Sequence, residues 1–268
     1  AVGHAADSVF VAQLAQDDSQ LLMTSAAALD STTHAGAAHA LLAALDRITR
    51  KRSQTSRDAR VALLIRLRQL GNARLVERVR PYLRDFDPEV AARAADAIEA
   101  WSGRRPEPQP SDPPALTPVR FAEAAALART RAIIEFENGG QIELELFPFD
   151  APTNTARFAR LARARYFDGL TLHRNAPNFV VQGGSPNANE YAGDAPFTRD
   201  ELGLENWRAT VGLSTRGRDT GDAQIFINLI DNVRLDHDYT VFARVVRGME
   251  IVDGLLEGAV MRRVLLEQ

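Results

Sequence analysis

The residues best suited to chemistry lie in one short stretch, Leu172 to Gly184 (LHRNAPNFVVQGG), where an arginine, a phenylalanine and a glutamine fall close together. Arg174 and Gln182 are eight apart, an even separation that would put both side chains on one face of an unbroken strand, but Pro177 and Asn178 signal a turn between them. A second segment, Ala223 to Leu229 (AQIFINL), alternates Gln224, Phe226 and Asn228 with Ile225, Ile227 and Leu229. That alternation predicts a strand with one polar and aromatic face and one aliphatic face.

Other candidate constellations are weaker. Gly212, Leu213, Ser214 and Thr215 begin like a G-x-S-x-G nucleophile elbow, but Arg216 takes the last glycine position and the strand-turn-helix context is missing, which disfavours a hydrolase. Asp236, His237 and Asp238 suggest acid-base chemistry, yet adjacent residues seldom converge on one substrate, and the run is expected to be a polar turn. His173 is expected to be a packed or hydrogen-bonded neighbour and not a general base. With no cysteine, disulfides, thiol nucleophiles and cysteine-bearing zinc sites drop out. His34 and His39 are five apart, off a shared helical face, and His173 and His237 have no third ligand nearby, so neither a metal nor a cofactor is expected.

The chain has 268 residues, 45% hydrophobic and 25% charged, enough for one large domain or two moderate ones. Its net charge of −3 offers no positive field for phosphate backbones, which argues against nucleic acid as a partner. The longest apolar stretch, near Gly36 to Leu45, is interrupted by His39 and too short to span a bilayer. Lys51 is the only lysine among 32 basic residues, a bias expected of a high-GC bacterial source. The start at Ala1 and the absent cysteines favour an extracytoplasmic location over a cytoplasmic one.

Composition divides the chain. Residues 1–101 hold 3 of the 17 glycines and read as alanine-rich helices, whereas residues 130–268 hold 13 glycines and 9 of the 12 phenylalanines. Between them, residues 102–118 (SGRRPEPQPSDPPALTP) carry six of the thirteen prolines and predict an extended linker. The expected division is therefore a helical domain over 1–101, a linker over 102–118 and a second domain over 119–268. In the first domain, Asp87 and Pro88 open an amphipathic helix through Trp101, with a partner helix over Ala73 to Arg84. Earlier helical segments near 6–15, 19–29, 35–48 and 57–70 allow two more pairs, so this half resembles HEAT-type repeats stacked in a solenoid.

The second domain opens with a hairpin, Thr130 to Phe136 and Gln141 to Phe147 around Asn138-Gly139-Gly140, followed by a helix over 151–165. Further strands are expected at Leu170 to Arg174, Phe179 to Gln182, Thr210 to Ser214, Ile225 to Asn228, Thr240 to Val246 and Val260 to Leu266. Many strands with few helices predict a closed barrel.

Three stretches, Tyr166 to Gly184, Val211 to Leu229 and Arg234 to Asp253, together make Thr130 to Gln268 resemble a cyclophilin-type peptidyl-prolyl isomerase. The resemblance implies an eight-stranded antiparallel barrel with two capping helices and an outer groove that binds a prolyl peptide. It implies that Arg174 is catalytic, that Gln182 fixes the substrate backbone, and that Phe179, Phe226 and Leu235 form the proline pocket. Val180 stands where a methionine is common, Gln224 matches another groove glutamine, and Tyr239 replaces the histidine of many eukaryotic members. The implied partners are proline-containing peptides or protein clients, with a possible further protein on the helical repeats, and the chain is expected to be a monomer. The alternative is a proline-binding scaffold or chaperone that turns over poorly.

Two departures stand out. The loop from Thr215 to Ala223 is shorter than the family's usual asparagine- and glycine-rich segment, and Arg216 and Arg218 add charge that would draw acidic flanking residues. Arg234 falls where many members carry a tryptophan that lines the groove and contacts cyclosporin. Weak cyclosporin binding is therefore expected. An inhibition titration checks this, and nanomolar inhibition would overturn it.

Overall fold

The computed structural model describes residues 3–268, so the reading attached to Ala1 lies outside the described residues. The chain divides into two compact units, one ending at Ala115 and the other spanning Leu116–Gln268.

The first unit is helical: α1 (Asp7–Gln13), α2 (Ser19–Ala28), α3 (Ala37–Arg50), α4 (Arg57–Leu70), α5 (Val76–Val79) and α6 (Pro88–Ser102). Helix starts follow capping chemistry. The Asp18 carboxylate accepts from the Leu21 N–H at 2.8 Å, and Asp87 accepts from the Glu89 N–H at 2.9 Å ahead of Pro88. The ends of α1 and α2, which lack glycine, borrow arginines from later helices. Arg47 of α3 donates to the Leu14 carbonyl at 2.8 Å beyond α1. Arg66 of α4 donates to the Ala26 and Ala27 carbonyls of α2 at 2.6 and 3.0 Å. Each places a cation at the negative end of a helix dipole.

The expected helix over Ala73 to Arg84 is broken. A 3-10 turn at Ala73–Leu75 leads into the short α5, and a second 3-10 turn covers Arg80–Arg84. Pro81 lacks an N–H and cannot continue the α-helical ladder, so the segment tightens instead. The proline-rich stretch after α6 has no helix or strand, but the Gln109 N–H donates to the Leu83 carbonyl at 2.8 Å and ties the stretch to this unit.

The second unit begins with α7 (Phe121–Leu127) and is built on nine strands: β1 (Arg131–Phe136), β2 (Gln141–Leu146), β3 (Thr171–Leu172), β4 (Arg174–Ala176), β5 (Val180–Gly183), β6 (Thr210–Leu213), β7 (Ile225–Asn228), β8 (Val241–Arg247) and β9 (Ala259–Glu267). Helix α8 (Pro152–Arg163) follows β2 and α9 (Met249–Asp253) follows β8. All pairings are antiparallel, in the order β3-β9-β1-β2-β8-β6-β7-β5-β4. The two ends of that order are consecutive in sequence, so the sheet is a nearly closed barrel.

The count is nine and not eight because the expected strand Leu170 to Arg174 divides at His173. Its first part pairs with β9 and its second with β5. Closure is completed by the Gly184 N–H, which donates to the Thr171 carbonyl at 3.0 Å. The aliphatic face of β7, Ile225 and Ile227, joins the core with Phe158 of α8, Phe167 and Phe242. The ring centroids of Phe167 and Phe242 lie 5.3 and 5.1 Å from that of Phe158, within the range of favourable aromatic pairs.

In the helical unit, Arg60 and Asp85 form an ion pair with side chains only 0% and 1% exposed, closed at 2.5 Å, and Phe86 lies under the guanidinium at 4.6 Å. Removing one partner of such a pair strands a buried charge. Asp85→Ala is expected to cost this unit about 3–5 kcal/mol, measured by denaturant unfolding followed by far-UV circular dichroism. The joint change Arg60→Met, Asp85→Leu is expected to recover most of that loss, and equal midpoints for wild type and Asp85→Ala would refute the account.

Candidate functional site

The turn suspected between Arg174 and Gln182 is real, and it brings the two side chains together. Pro177 and Asn178 form its centre, Asn178 adopts φ +57°, and the Phe179 N–H closes it onto the Ala176 carbonyl at 3.0 Å, as proline followed by a left-handed residue favours. The hairpin register then sets Arg174 directly opposite Gln182 on β4 and β5. Arg174 Nη1 donates to Gln182 Oε1 at 2.9 Å, and its guanidinium carbon lies 5.6 Å from the Phe179 ring centroid.

Neighbouring strands extend the surface. On β7, Phe226 pairs with Gln182 across β5 and with Gly212 across β6. Phe226 meets the Tyr239 ring edge-on at 5.8 Å and 90°. Gln182 Nε2 donates to Ser214 Oγ at 3.0 Å, while Gln224 Nε2 donates to the Glu190 carbonyl at 2.7 Å. Arg174, Phe179, Val180, Gln182, Gln224, Phe226, Leu235 and Tyr239 all line one groove of about 350 Å³. Val180, Gln224 and Phe226 are buried in its floor, whereas Arg174, Phe179, Gln182, Leu235 and Tyr239 are half-buried on its walls.

Arg216, expected beside the groove, does line it, and groove residues beyond those given a groove role from sequence are Glu190, Ser214 and Thr215. Ser214 was legible only as part of a failed hydrolase motif; its hydroxyl instead holds Gln182. Gly212, the first residue of the same motif, has a steric role that the motif does not signal. A Cβ there would lie 2.2 Å from Phe226 Cζ, so the ring occupies space that only glycine leaves open.

The Leu235 side of the groove rests on buried amides. Asn232 Nδ2 donates to the Phe179 carbonyl at 2.9 Å and to Asn228 Oδ1 at 2.7 Å. Asn228 Nδ2 donates in turn to Thr210 Oγ1 at 2.8 Å. Asp236 accepts from the Asn206 N–H at 2.7 Å and His237 takes φ +63°, so this run is a turn whose carboxylate serves structure.

The two loop arginines do not project free charge into the groove. Arg216 Nη1 is 3.1 Å from the wholly buried Asp222 carboxylate and donates to the Glu190 carbonyl at 2.6 Å. Arg218 lies 3.6 Å from Asp200 and 3.4 Å from Asp238. Burial lifts the Asp200 carboxyl above the usual range, opposed by the Asp219 N–H and by Arg218. Behind the groove, burial lowers the pKa of Arg157, with Asp194 opposing. Its guanidinium donates to the Asp194 and Asp222 carbonyls at 3.1 and 2.8 Å.

The family model described as cyclophilin type peptidyl-prolyl cis-trans isomerase/CLD matches residues 132–266. Peptidyl-prolyl cis-trans isomerase B of Bacillus subtilis is 37% identical over 134 residues, 49% of this chain and 94% of that protein. A peptidyl-prolyl cis-trans isomerase of Helicobacter pylori is 32% identical over 144 residues, 52% of this chain and 88% of the relative. A crystal structure of a Cryptosporidium parvum cyclophilin type peptidyl-prolyl cis-trans isomerase covers 52% of this chain and 98% of its own, at TM-score 0.49 and 20% identity.

Gly212→Ala is expected to drive the Phe226 ring into the groove, costing about 1–3 kcal/mol through overpacking. Near-UV circular dichroism should change with the lost Phe226–Tyr239 contact while the far-UV spectrum keeps its sheet signal. An unchanged near-UV spectrum would show that the ring does not need this space.

Proposed function

Because the chain belongs to the cyclophilin-type peptidyl-prolyl cis-trans isomerases, we propose that Arg174 is its catalytic group, acting on the nitrogen of an X-Pro bond. Rotation about that bond is slow because amide resonance imposes a barrier of roughly 18–20 kcal/mol, and no covalent bond has to break. In the twisted state the prolyl nitrogen recovers its lone pair and becomes an acceptor. A guanidinium, always protonated, donates to it there and not in either planar state, so the interaction favours the transition state selectively.

The observation that carries this reading is the Arg174–Gln182 hydrogen bond of 2.9 Å beside the Phe179 ring. It uses one donor of the guanidinium and leaves others to meet a peptide. Gln182 thereby fixes the arginine's head, and its Nε2, shared with Ser214 and with Gln224 at 3.0 and 3.5 Å, is the group that restrains the substrate backbone. Phe179, Phe226 and Leu235, with Val180 beneath, take the proline ring; Gln224 and Tyr239 complete the binding surface. The ring is then held while the preceding carbonyl swings, and fixed orientation supplies what one hydrogen bond cannot.

The helical unit serves, in this reading, as a HEAT-type module over 1–101 that docks clients or a partner protein, joined by 102–118 to an isomerase domain over 119–268. The support is that packed neighbours lie close in sequence: α1 with α2, α2 and α3 with α4, α4 with α6. Among the described residues no helix is long and apolar enough to cross a membrane.

A charge-assisted hydrogen bond contributes about 1.5–3 kcal/mol, so Arg174→Ala is expected to lower kcat/KM for a prolyl peptide by roughly 10- to 100-fold. A protease-coupled assay measures this. Equal and negligible rates for wild type and variant would leave a proline-binding scaffold in place of the enzyme.

A further inference from the structure

We propose that Arg234 is a specificity-determining residue that directs this isomerase toward prolines flanked by a carboxylate side chain, an inference that rests on Phe179 being a wall of the proline pocket. Arg234 lies in the 3-10 turn Val233–Leu235, next to the groove-lining Leu235. Its guanidinium carbon stands 4.0 Å from the Phe179 ring centroid, and the residue is exposed. Two cations therefore share one aromatic ring. Arg174 is engaged by Gln182, whereas Arg234 has no carboxylate partner among the described residues.

The contrast with the loop arginines decides which charge a peptide meets. Arg216 is held by Asp222, and Arg218 lies between Asp200 and Asp238. The carboxylates nearest in sequence turn to backbone groups and form no ion pair with Arg234: Asp236 accepts from the Asn206 N–H, and Asp231 from the Arg208 N–H, at 2.7 and 2.8 Å. The guanidinium lies against the Phe179 ring and is exposed, so N–H donors remain for a carboxylate, whose geometry the guanidinium fork matches.

The position is also built rather than incidental. Asn232 binds the Phe179 carbonyl through its side chain and accepts the Leu235 N–H at 2.8 Å through its backbone. The turn bearing Arg234 is thus fixed to the residue whose ring it covers. Glu190, exposed and lining the groove beside Gln224, supplies the opposite charge at another point along it. An acidic residue therefore gains on the side of the proline that meets Arg234.

The test uses the full chain and prolyl peptides that differ only in one neighbour of the proline, Glu, Ala or Lys, placed before or after it. In one placement the Glu peptide is expected to exceed the Ala peptide in kcat/KM by about two- to five-fold, the worth of an exposed ion pair, with Lys below Ala. The gain should shrink at about 1 M salt, where charges are screened within roughly 3 Å. Arg234→Ala should flatten the series and Arg234→Glu should reverse it. A flat series in wild type, or one that keeps its order in Arg234→Glu, would overturn the inference while turnover of the Ala peptide still stands for the isomerase. No turnover of any peptide by wild type would instead remove the reading of the groove itself.

Discussion

At Gly183 the backbone of β5 passes across the start of β3 at contact distance, and the arrangement of the C-terminal unit depends on that approach. A Cβ on Gly183 would fall 2.2 Å from the Thr171 carbonyl oxygen and 2.4 Å from the Leu172 Cα. These are backbone atoms of a paired strand, which cannot move aside as a flexible side chain could. Only a glycine lets β5 pair with β4 and β7 while its end bonds back to Thr171. The same crossing holds the β4–β5 hairpin against the wall formed by β7, so Arg174, Gln182 and Phe226 come into register together. Geometry of the groove is thus inherited from barrel closure.

A second class of constraint organises the segments on either side of β6, between β5 and β7, which carry little regular structure. Side chains from the rest of the unit satisfy their polar groups. Glu201 accepts from the Thr153 and Asn154 N–H groups at 2.9 and 3.0 Å, placing a carboxylate at the start of α8. Arg157 on the same helix binds carbonyls of Asp194 and Asp222. Asp200 and Asp219 exchange backbone and side-chain bonds at 2.9 and 3.0 Å. Leaving the buried Arg157 donor without the Asp222 carbonyl would cost about 1–3 kcal/mol or more, so these segments behave as a fixed part of the wall. The Glu190 carbonyl that receives Gln224 is held this way.

Local patterns were readable because they depend on local physics. Alternation in Ala223 to Leu229 followed from the two-residue period of a strand, and the aliphatic half does enter the core. The Asp87-Pro88 helix start likewise needed no tertiary information. What could not be read depended on partners distant in sequence. The compensation of Arg216 by Asp222 reverses the expectation of free charge beside the groove. Gly212 gained meaning only from the ring lying across it. Pro81 was visible, but its consequence was masked by the regular apolar stripe of Ala73 to Arg84. The break at His173 was hidden for another reason: one continuous extended run pairs with β9 on one side and β5 on the other.

That break gives the seam of the barrel two very short strands, two residues in β3 and three in β4. Exposed sheet edges invite unpaired extended chains to add as further strands, the route to aggregation. A peptidyl-prolyl isomerase takes peptide chains as substrates, and extended ones could add in this way. Here the sheet ends meet each other through a single residue, leaving almost no unpaired backbone at the margin. The short seam thus offers a proline-containing peptide little edge to join, which keeps substrate separate from the sheet.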